Sequence, residues 1–175
     1  MNNEPIIAIV DAFSTGRLLA PRFKSQGYLC VHIQSTSKLP PIFEGSLCPD
    51  NFIENIIYDD ETIKILSNYN IRAVIAGTES GVILADRLSE QLKILSNGTK
   101  YSLAKRDKHQ MLEVLQAKGI AVAKHYKSSN LEELISWIKS NLKYPVVIKP
   151  CSSAGAEDVV FCYNDSDVKK IFNKL

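Results

Sequence analysis

Short apolar runs alternate with amphipathic segments through the first half of the chain. The runs predict buried strands at residues 6–10, 29–33, 53–58 and 72–76. Apolar residues at helical spacing predict a helix that carries Leu18, Leu19 and Phe23 and stops at Gly27, and further helices at 60–69 and 79–95. Residues 34–50, rich in Ser, Pro and Gly, predict a long surface loop. Strands and helices at this spacing indicate right-handed parallel β-α-β units, with helices on both faces of the sheet.

The pattern changes at the turn-forming residues 96–98, where we place a domain boundary. The first domain is then 1–98, and residues 99–175 form a second, mixed α and β segment. Predicted helices of this segment are 105–118, 131–142 and the stretch from Asp165 onward; predicted strands are 121–126, 145–149 and 158–163, the last two as a hairpin. The final helix stays amphipathic up to Leu175 without a stop signal, so we expect a chain shorter than the fold to which it belongs.

Composition and charge restrict the class of protein. The chain has 175 residues, of which 45% are apolar and 23% charged, with a net charge of +2. The charge is too small to indicate nucleic-acid binding, and no apolar run is long enough for a membrane helix. We expect a cytoplasmic protein that binds neither nucleic acid nor membrane, and a homodimer is left open. The four cysteines and three histidines are scattered, which predicts free thiols and no metal site.

The stretch YPVVIKPCSSAGAEDVVF at residues 144–161 carries the first group of candidate binding residues. Alternation places Val147 and Lys149 on one face of the predicted strand, and Pro150 keeps Lys149 extended. An apolar side chain beside an ammonium group suits a flat base next to a phosphate tail. The following loop has small residues whose backbone N–H groups can approach phosphate oxygens. These residues are Ser152, Ser153, Ala154 and Gly155. The alternative is a plain hairpin loop beside an edge lysine.

Polar residues at the carboxyl ends of first-domain strands form a second group of candidates. Ser14, Thr15 and Gly16 lie at a strand-to-helix turn, where backbone N–H groups and the helix dipole favour an anion. The alternative is that Ser14 or Thr15 caps the helix. Asp11 and Glu79 face the crevice in which open α/β sheets bind ligands, although Glu79 is also a favourable first-turn acid. We predict that these five residues bind substrate.

Several segments together resemble the ATP-grasp ligases. They are RDK at 106–108, KGIAV at 118–122 and YPVVIKP at 144–150, the last directly before the small-residue loop. The first half is similar to the domain that precedes the ATP-grasp domain in biotin carboxylase, carbamoyl-phosphate synthetase and L-amino-acid ligases, and AGTESGV at 76–82 is typical of that domain. The resemblance implies an α/β fold, with a Rossmann-like preATP-grasp domain at 1–98 and an incomplete ATP-grasp domain at 99–175. The loop departs from the family in having one glycine where relatives often have several.

The resemblance also implies a function, that of an ATP-dependent carboxylate–amine ligase. In that family ATP phosphorylates a small-molecule carboxylate, and an amine attacks the acyl phosphate to give an amide or peptide. Lys108 and Lys149 would contact the ATP phosphates or the adenine edge, with the 152–155 loop closing over the phosphates and Mg²⁺ bridging them, and Val147 joins these candidates through the strand pattern. The alternative for Lys108 is a solvated helix side chain.

The rest of the family's site is expected downstream of this loop. The acidic residues and asparagine that bind Mg²⁺ in relatives, and the hinge that contacts adenine, have no counterpart after Tyr163. We therefore expect the longer parent protein to be the enzyme and this chain alone to be inactive. The residues leave two other functions open: a non-catalytic module that binds a nucleotide or small molecule, and a dimerisation scaffold.

Overall fold

The computed structural model describes residues 4–152 and 158–175. The chain divides into two compact units, Met1–Ser102 and Leu103–Leu175. The predicted boundary after residue 98 lies shortly before this division, and the assignment of the two halves to named domains stays a prediction. None of the helices in the described part of the chain has the length and apolar character needed to span a membrane.

The first unit is built on a four-stranded sheet in the order β3-β2-β1-β4. The strands are β1 (Ile6–Val10), β2 (Leu29–Gln34), β3 (Glu54–Ile57) and β4 (Ile71–Ala76). All three neighbouring pairs are parallel. Every residue of β1 is buried, because this strand lies inside the sheet with both faces covered. The predicted parallel α/β fold is therefore confirmed.

The connections of the first unit are short helices. They are α1 (Leu19–Lys24), α2 (Thr62–Leu66) and α3 (Val82–Gln91). Helices α1 and α3 each follow a 3-10 turn, Ser14–Leu18 and Glu79–Gly81 respectively. All three helices lie where the apolar spacing predicts them but are shorter than predicted; α1 and α3 begin late because the chain leaves β1 and β4 through these tight turns. The predicted loop at 34–50 contains two more 3-10 turns, each beginning at a proline, Pro41–Phe43 and Pro49–Asn51.

Two apolar clusters cover the two faces of the sheet. Ile6, Ala8 and Val10 of β1 pack with residues of α2 and α3, including Leu66 and Leu88. The alternate residues of β1 pack on the other face, together with Cys30, Ala20 and Phe52. Successive side chains of a strand point to opposite faces, so one apolar run supplies both clusters.

The second unit combines helices with one hairpin. Its helices are α4 (Lys108–Ala117), α5 (Leu131–Asn141) and α6 (Asp165–Phe172), with a 3-10 turn at Leu103–Lys105. Strands β5 (Val146–Ile148) and β6 (Val160–Cys162) pair antiparallel, which confirms the predicted hairpin. The core of this unit is formed by Leu134, Ile138, Val146, Cys162, Val168 and Ile171.

Two predictions for the second unit are wrong, namely the strand at 121–126 and the first residue of α4. Residues 121–126 do not form a strand, because no described strand pairs with them, and the side chains of His125 and Tyr126 contact helices instead. Tyr126, for example, stacks on Trp137 with ring centroids 5.1 Å apart. Helix α4 begins at Lys108 rather than at 105, because Asp107 caps it by accepting a 2.9 Å hydrogen bond from the Gln110 N–H.

Candidate functional site

One face of the β5–β6 hairpin is apolar and exposed. Val147 lies opposite Phe161 in the antiparallel pair, and the two residues are 44% and 62% exposed. Val146 and Cys162, which point to the other face, are buried in the core. The predicted alternation along this strand is therefore confirmed. An exposed pair of an aliphatic and an aromatic side chain provides a flat apolar surface of the kind on which a planar ring can pack.

Lys149 follows directly after β5, and its side chain is exposed. Lys108, the first residue of α4, is held close to the same segment of chain by its backbone. Its N–H donates a 2.8 Å hydrogen bond to the carbonyl oxygen of Cys151. The start of α4 is thus fixed against the segment that leaves β5, and the two predicted ATP-contacting lysines belong to neighbouring stretches of backbone.

Asp107 strengthens this arrangement at the start of α4. Its carboxylate accepts from the Gln110 N–H and lies 3.5 Å from the ammonium of Lys127. Burial alone would raise the pKa of Asp107, but the hydrogen bonds from Gln110 and His109 and the charge of Lys127 hold the pKa below its usual value. The carboxylate therefore stays ionised and keeps its capping role at neutral pH.

The predicted phosphate loop is only partly within the described residues. Ser152 is exposed and follows Cys151, whose carbonyl oxygen accepts from Lys108. Ser153, Ala154 and Gly155 lie outside the described residues. Their contact with phosphate oxygens stays a prediction, as do the ATP contacts of Lys108, Val147 and Lys149.

Asp11 lies at the carboxyl end of β1, where the sequence predicts it, and is only 1% exposed. One carboxylate oxygen accepts from the backbone N–H of Ser35 at 2.8 Å, and the other accepts from the hydroxyls of Ser35 and Ser80 at 2.7 and 2.6 Å. The Asp11 carbonyl accepts from the Thr78 hydroxyl at 3.1 Å. Asp11 therefore connects the segments that follow β1, β2 and β4, and its observed partners are protein groups. Substrate binding by Asp11 stays a prediction.

The turn after β1 differs from both interpretations of Ser14, Thr15 and Gly16. The 3-10 turn begins after Phe13, and neither this turn nor α1 has a side-chain cap, so capping by Ser14 or Thr15 is wrong. The Ser14 N–H donates to the Ser46 hydroxyl at 3.1 Å and the Gly16 N–H to the Phe13 carbonyl at 2.7 Å. These two donors are already engaged, which leaves fewer backbone N–H groups for the predicted anion.

Gly16 has a packing role that the sequence did not reveal. A Cβ atom at this position would lie 2.5 Å from the Gly77 carbonyl oxygen. Only glycine permits this approach between the turns that follow β1 and β4. Glu79, the remaining predicted substrate residue, is exposed at the start of the 3-10 turn before α3. Its binding role also stays a prediction.

His32 is a buried polar residue that sequence reasoning left unused. It is 1% exposed, and its ring lies 5.3 Å from the rings of both Phe13 and Phe52. Its Nε2 atom has no hydrogen-bond partner among the described residues. Burial lowers the pKa of His32 despite the opposing charge of Asp11 and a hydrogen bond with Asn55. The only signal for this burial in the sequence is that alternation places His32 on the same face of β2 as Cys30.

Comparison with known proteins identifies the fold. No family model matches the chain. A curated relative, Dapdiamide A synthase of Enterobacter agglomerans, is 35% identical over 181 aligned positions, which cover 100% of this chain and 42% of the relative. The L-amino acid ligase of Bacillus licheniformis superposes with a TM-score of 0.72 at 15% identity, over 99% of this chain and 43% of that structure. The chain has the fold of the N-terminal part of an ATP-grasp ligase.

A second solved structure supports the same conclusion. The N5-carboxyaminoimidazole synthetase of Staphylococcus aureus, complexed with ADP, superposes with a TM-score of 0.66 at 16% identity, over 96% of this chain and 43% of that structure. The predicted resemblance to ATP-grasp ligases is therefore confirmed at the level of the fold. The chain spans less than half the length of the relatives it matches, 42% for the curated relative.

Proposed function

We propose that this chain is the N-terminal portion of an ATP-dependent carboxylate–amine ligase that forms an acyl phosphate and joins it to an amine. The observation that carries the proposal is the 35% identity with Dapdiamide A synthase along the whole chain. An amino-acid or peptide ligase is the subclass we favour, because an L-amino acid ligase is among the similar structures. Small carboxylates and amines are then the substrates.

In this proposal the second unit holds ATP. Val147 and Phe161 provide an apolar surface for the planar base, since both are exposed on one face of the hairpin. Lys149 and Lys108 supply positive charge for the phosphates, from stretches of backbone joined by the hydrogen bond between Lys108 and Cys151. Phosphoryl transfer depends on positioning and charge neutralisation, which is the chemistry that lysines provide. The loop of Ser152, Ser153, Ala154 and Gly155 would add backbone donors.

The potential metal-ligating cluster in the described part of the chain does not suit Mg²⁺. Mg²⁺ prefers oxygen ligands. The cluster of three potential metal-ligating side chains in the described part of the chain contains two histidines, so its chemistry does not fit. We therefore expect the Mg²⁺ that accompanies ATP to be bound by residues of the longer protein, as the resemblance to the ATP-grasp ligases implies.

The first unit supplies the proposed substrate crevice. Ser14, Thr15 and Glu79 are exposed there, whereas Asp11 and Gly16 are buried. We accordingly expect Asp11 and Gly16 to shape the crevice and the exposed residues to contact substrate. Cytoplasmic location and the absence of nucleic-acid binding complete the proposal and rest on the sequence alone, and a homodimer stays open.

Turnover by the longer protein tests the proposal. ADP release is measured with ATP, Mg²⁺ and a panel of amino acids, and amide products are identified by mass spectrometry. We expect ADP release that requires both a carboxylate and an amine, and none from the 175-residue chain alone. ATP binding without turnover in the longer protein would instead indicate a nucleotide-binding module. Turnover by the isolated chain would contradict the assignment of the remaining catalytic groups to the rest of the protein.

A further inference from the structure

Two histidines and a glutamate lie close together on one side of α4. His109 lies in the first turn of this helix, and Glu113 follows one turn later on the same face. His125 comes from the irregular segment after α4, and its ring lies 5.3 Å from that of His109. One ligand atom from each of the three side chains can be chosen so that all lie within 4.8 Å of one another.

The orientation of His125 favours a cation at this point. Its Nδ1 atom lies 3.0 Å from the Ala123 carbonyl oxygen, an acceptor, so Nδ1 carries a proton and donates. Its Nε2 atom faces the Glu113 carboxylate at 2.8 Å. With Nδ1 protonated, two acceptors would otherwise face each other here, so the pair requires either a further proton, on the ring or on the carboxyl group, or a metal ion that both atoms bind. An imidazole whose other nitrogen donates to a carbonyl is also the usual arrangement of a metal-binding histidine.

We propose that His109, Glu113 and His125 bind a divalent transition-metal ion of the zinc type. Two imidazole nitrogens and one carboxylate oxygen suit Zn²⁺ and related ions, and a fourth position remains for water. With bonds of about 2.0–2.2 Å in tetrahedral geometry, ligand atoms of a zinc site lie roughly 3.3–3.5 Å apart. Glu113 can adjust to this spacing by rotation of its side chain, which is 58% exposed.

The proposed ion would connect a helix to a segment without regular structure. Two of its ligands belong to α4, whereas His125 belongs to residues 120–128, which form no helix or strand. Binding would therefore hold this segment against α4 and stabilise the second unit by mass action. Its test measures metal binding by the chain and does not depend on ligase activity.

The test uses the complete chain without a histidine tag, freed of metal by a chelator. Zn²⁺ is titrated by calorimetry, and Co²⁺ is titrated while its visible absorption is recorded. We expect one saturable site per chain. Glu113→Gln and His109→Gln should each lower the affinity at least about tenfold, because even the loss of an outer partner of a metal ligand costs that much. Glu132→Gln, a change of an exposed glutamate in the first turn of α5, is the matched control and should bind as wild type does.

The Co²⁺ spectrum separates this site from binding by cysteines. All four cysteines are free, and Cys48 is exposed. Histidine and carboxylate ligation gives Co²⁺ no thiolate charge-transfer band, so such a band, or unchanged affinity in Glu113→Gln, would overturn the proposal. Absence of saturable Zn²⁺ binding to wild type would overturn it as well. Circular dichroism checks folding; if His109→Gln is unfolded, the exposed Glu113→Gln variant alone decides the result.

Discussion

The backbone N–H of Lys108 donates a 2.8 Å hydrogen bond to the carbonyl oxygen of Cys151. This bond joins the first residue of α4 to the chain two residues after Lys149. A lysine at a helix start and a lysine at a strand end, far apart in sequence, are thereby carried by adjoining backbone. The bond uses main-chain atoms alone, so substitution of either lysine side chain leaves it in place. The charge of each lysine can therefore be tested without removing this connection.

Substitution Lys149→Met tests the proposed ATP site in the longer protein. Methionine keeps much of the side-chain length and removes the ammonium, and a hydrogen bond to a charged group contributes about 1.5–3 kcal/mol. We expect ATP affinity to fall roughly tenfold to a hundredfold, at about 1.4 kcal/mol per factor of ten. Calorimetric titration with a nonhydrolysable ATP analogue measures the change.

The control for this experiment is Lys170→Met, which removes an exposed lysine from α6. It should bind the analogue as wild type does. Equal affinities of wild type and Lys149→Met, with both proteins folded, would contradict the ATP contact. They would favour the alternative interpretation, an edge lysine beside a plain hairpin.

Asp11→Ala should destabilise the first unit. The change leaves the Ser35 N–H and the hydroxyls of Ser35 and Ser80 without their acceptor. Loss of charge-assisted hydrogen bonds at a buried position costs at least about 1.5–3 kcal/mol. Urea unfolding followed by circular dichroism measures this loss, with Asp60→Ala, at an exposed aspartate, as the control. Unchanged stability together with weaker substrate binding would favour direct contact between Asp11 and substrate.

The apolar pattern predicts most of the fold because burial determines it. Strand β1 is a continuous apolar run since it has helices on both faces, and the alternation of Val146 and Val147 follows from a hairpin with one buried face. The predicted strand at 121–126 is wrong, because no described strand pairs with these residues. A strand requires hydrogen-bonded neighbours, and a local pattern carries no information about whether a partner strand exists.

The candidate site was less accessible to sequence reasoning than the fold. Strand alternation and a family motif indicate Lys149, and a family motif indicates Lys108, whereas the hydrogen bond that joins their neighbourhoods is made by backbone atoms, which any sequence supplies. The grouping of His109 with His125 depends on how the chain turns after α4, and no spacing rule encodes that turn. The role of Gly16 similarly depends on the approach of Gly77 from a distant turn.

Gly16→Ala should destabilise the first unit by about 1–3 kcal/mol, the usual cost of forcing extra atoms into a packed interior. The added Cβ would lie 2.5 Å from the backbone oxygen of Gly77, which cannot rotate away as a side chain can. Thr15→Ala changes the adjacent exposed residue and should leave stability nearly unchanged. Thermal unfolding of both variants and wild type provides the comparison; equal midpoints for Gly16→Ala and Thr15→Ala would show that the two turns separate without cost.

His32 should make the protein less stable in mild acid. Burial lowers the pKa of His32 in the folded protein, so the unfolded chain binds a proton more readily than the folded chain does. Stability from the neutral imidazole is therefore complete above the unfolded pKa of about 6.5 and is lost as the pH falls toward the folded value.

The test compares the free energy of unfolding of wild type and His32→Leu at several pH values, with chelator present. The difference between the two proteins isolates His32, because the other titrating groups are common to both. We expect the stability of wild type to fall relative to His32→Leu as the pH decreases below about 6.5, since leucine has no proton to gain. A constant difference across this range would mean that His32 takes up its proton without disturbing the packing against Phe13 and Phe52.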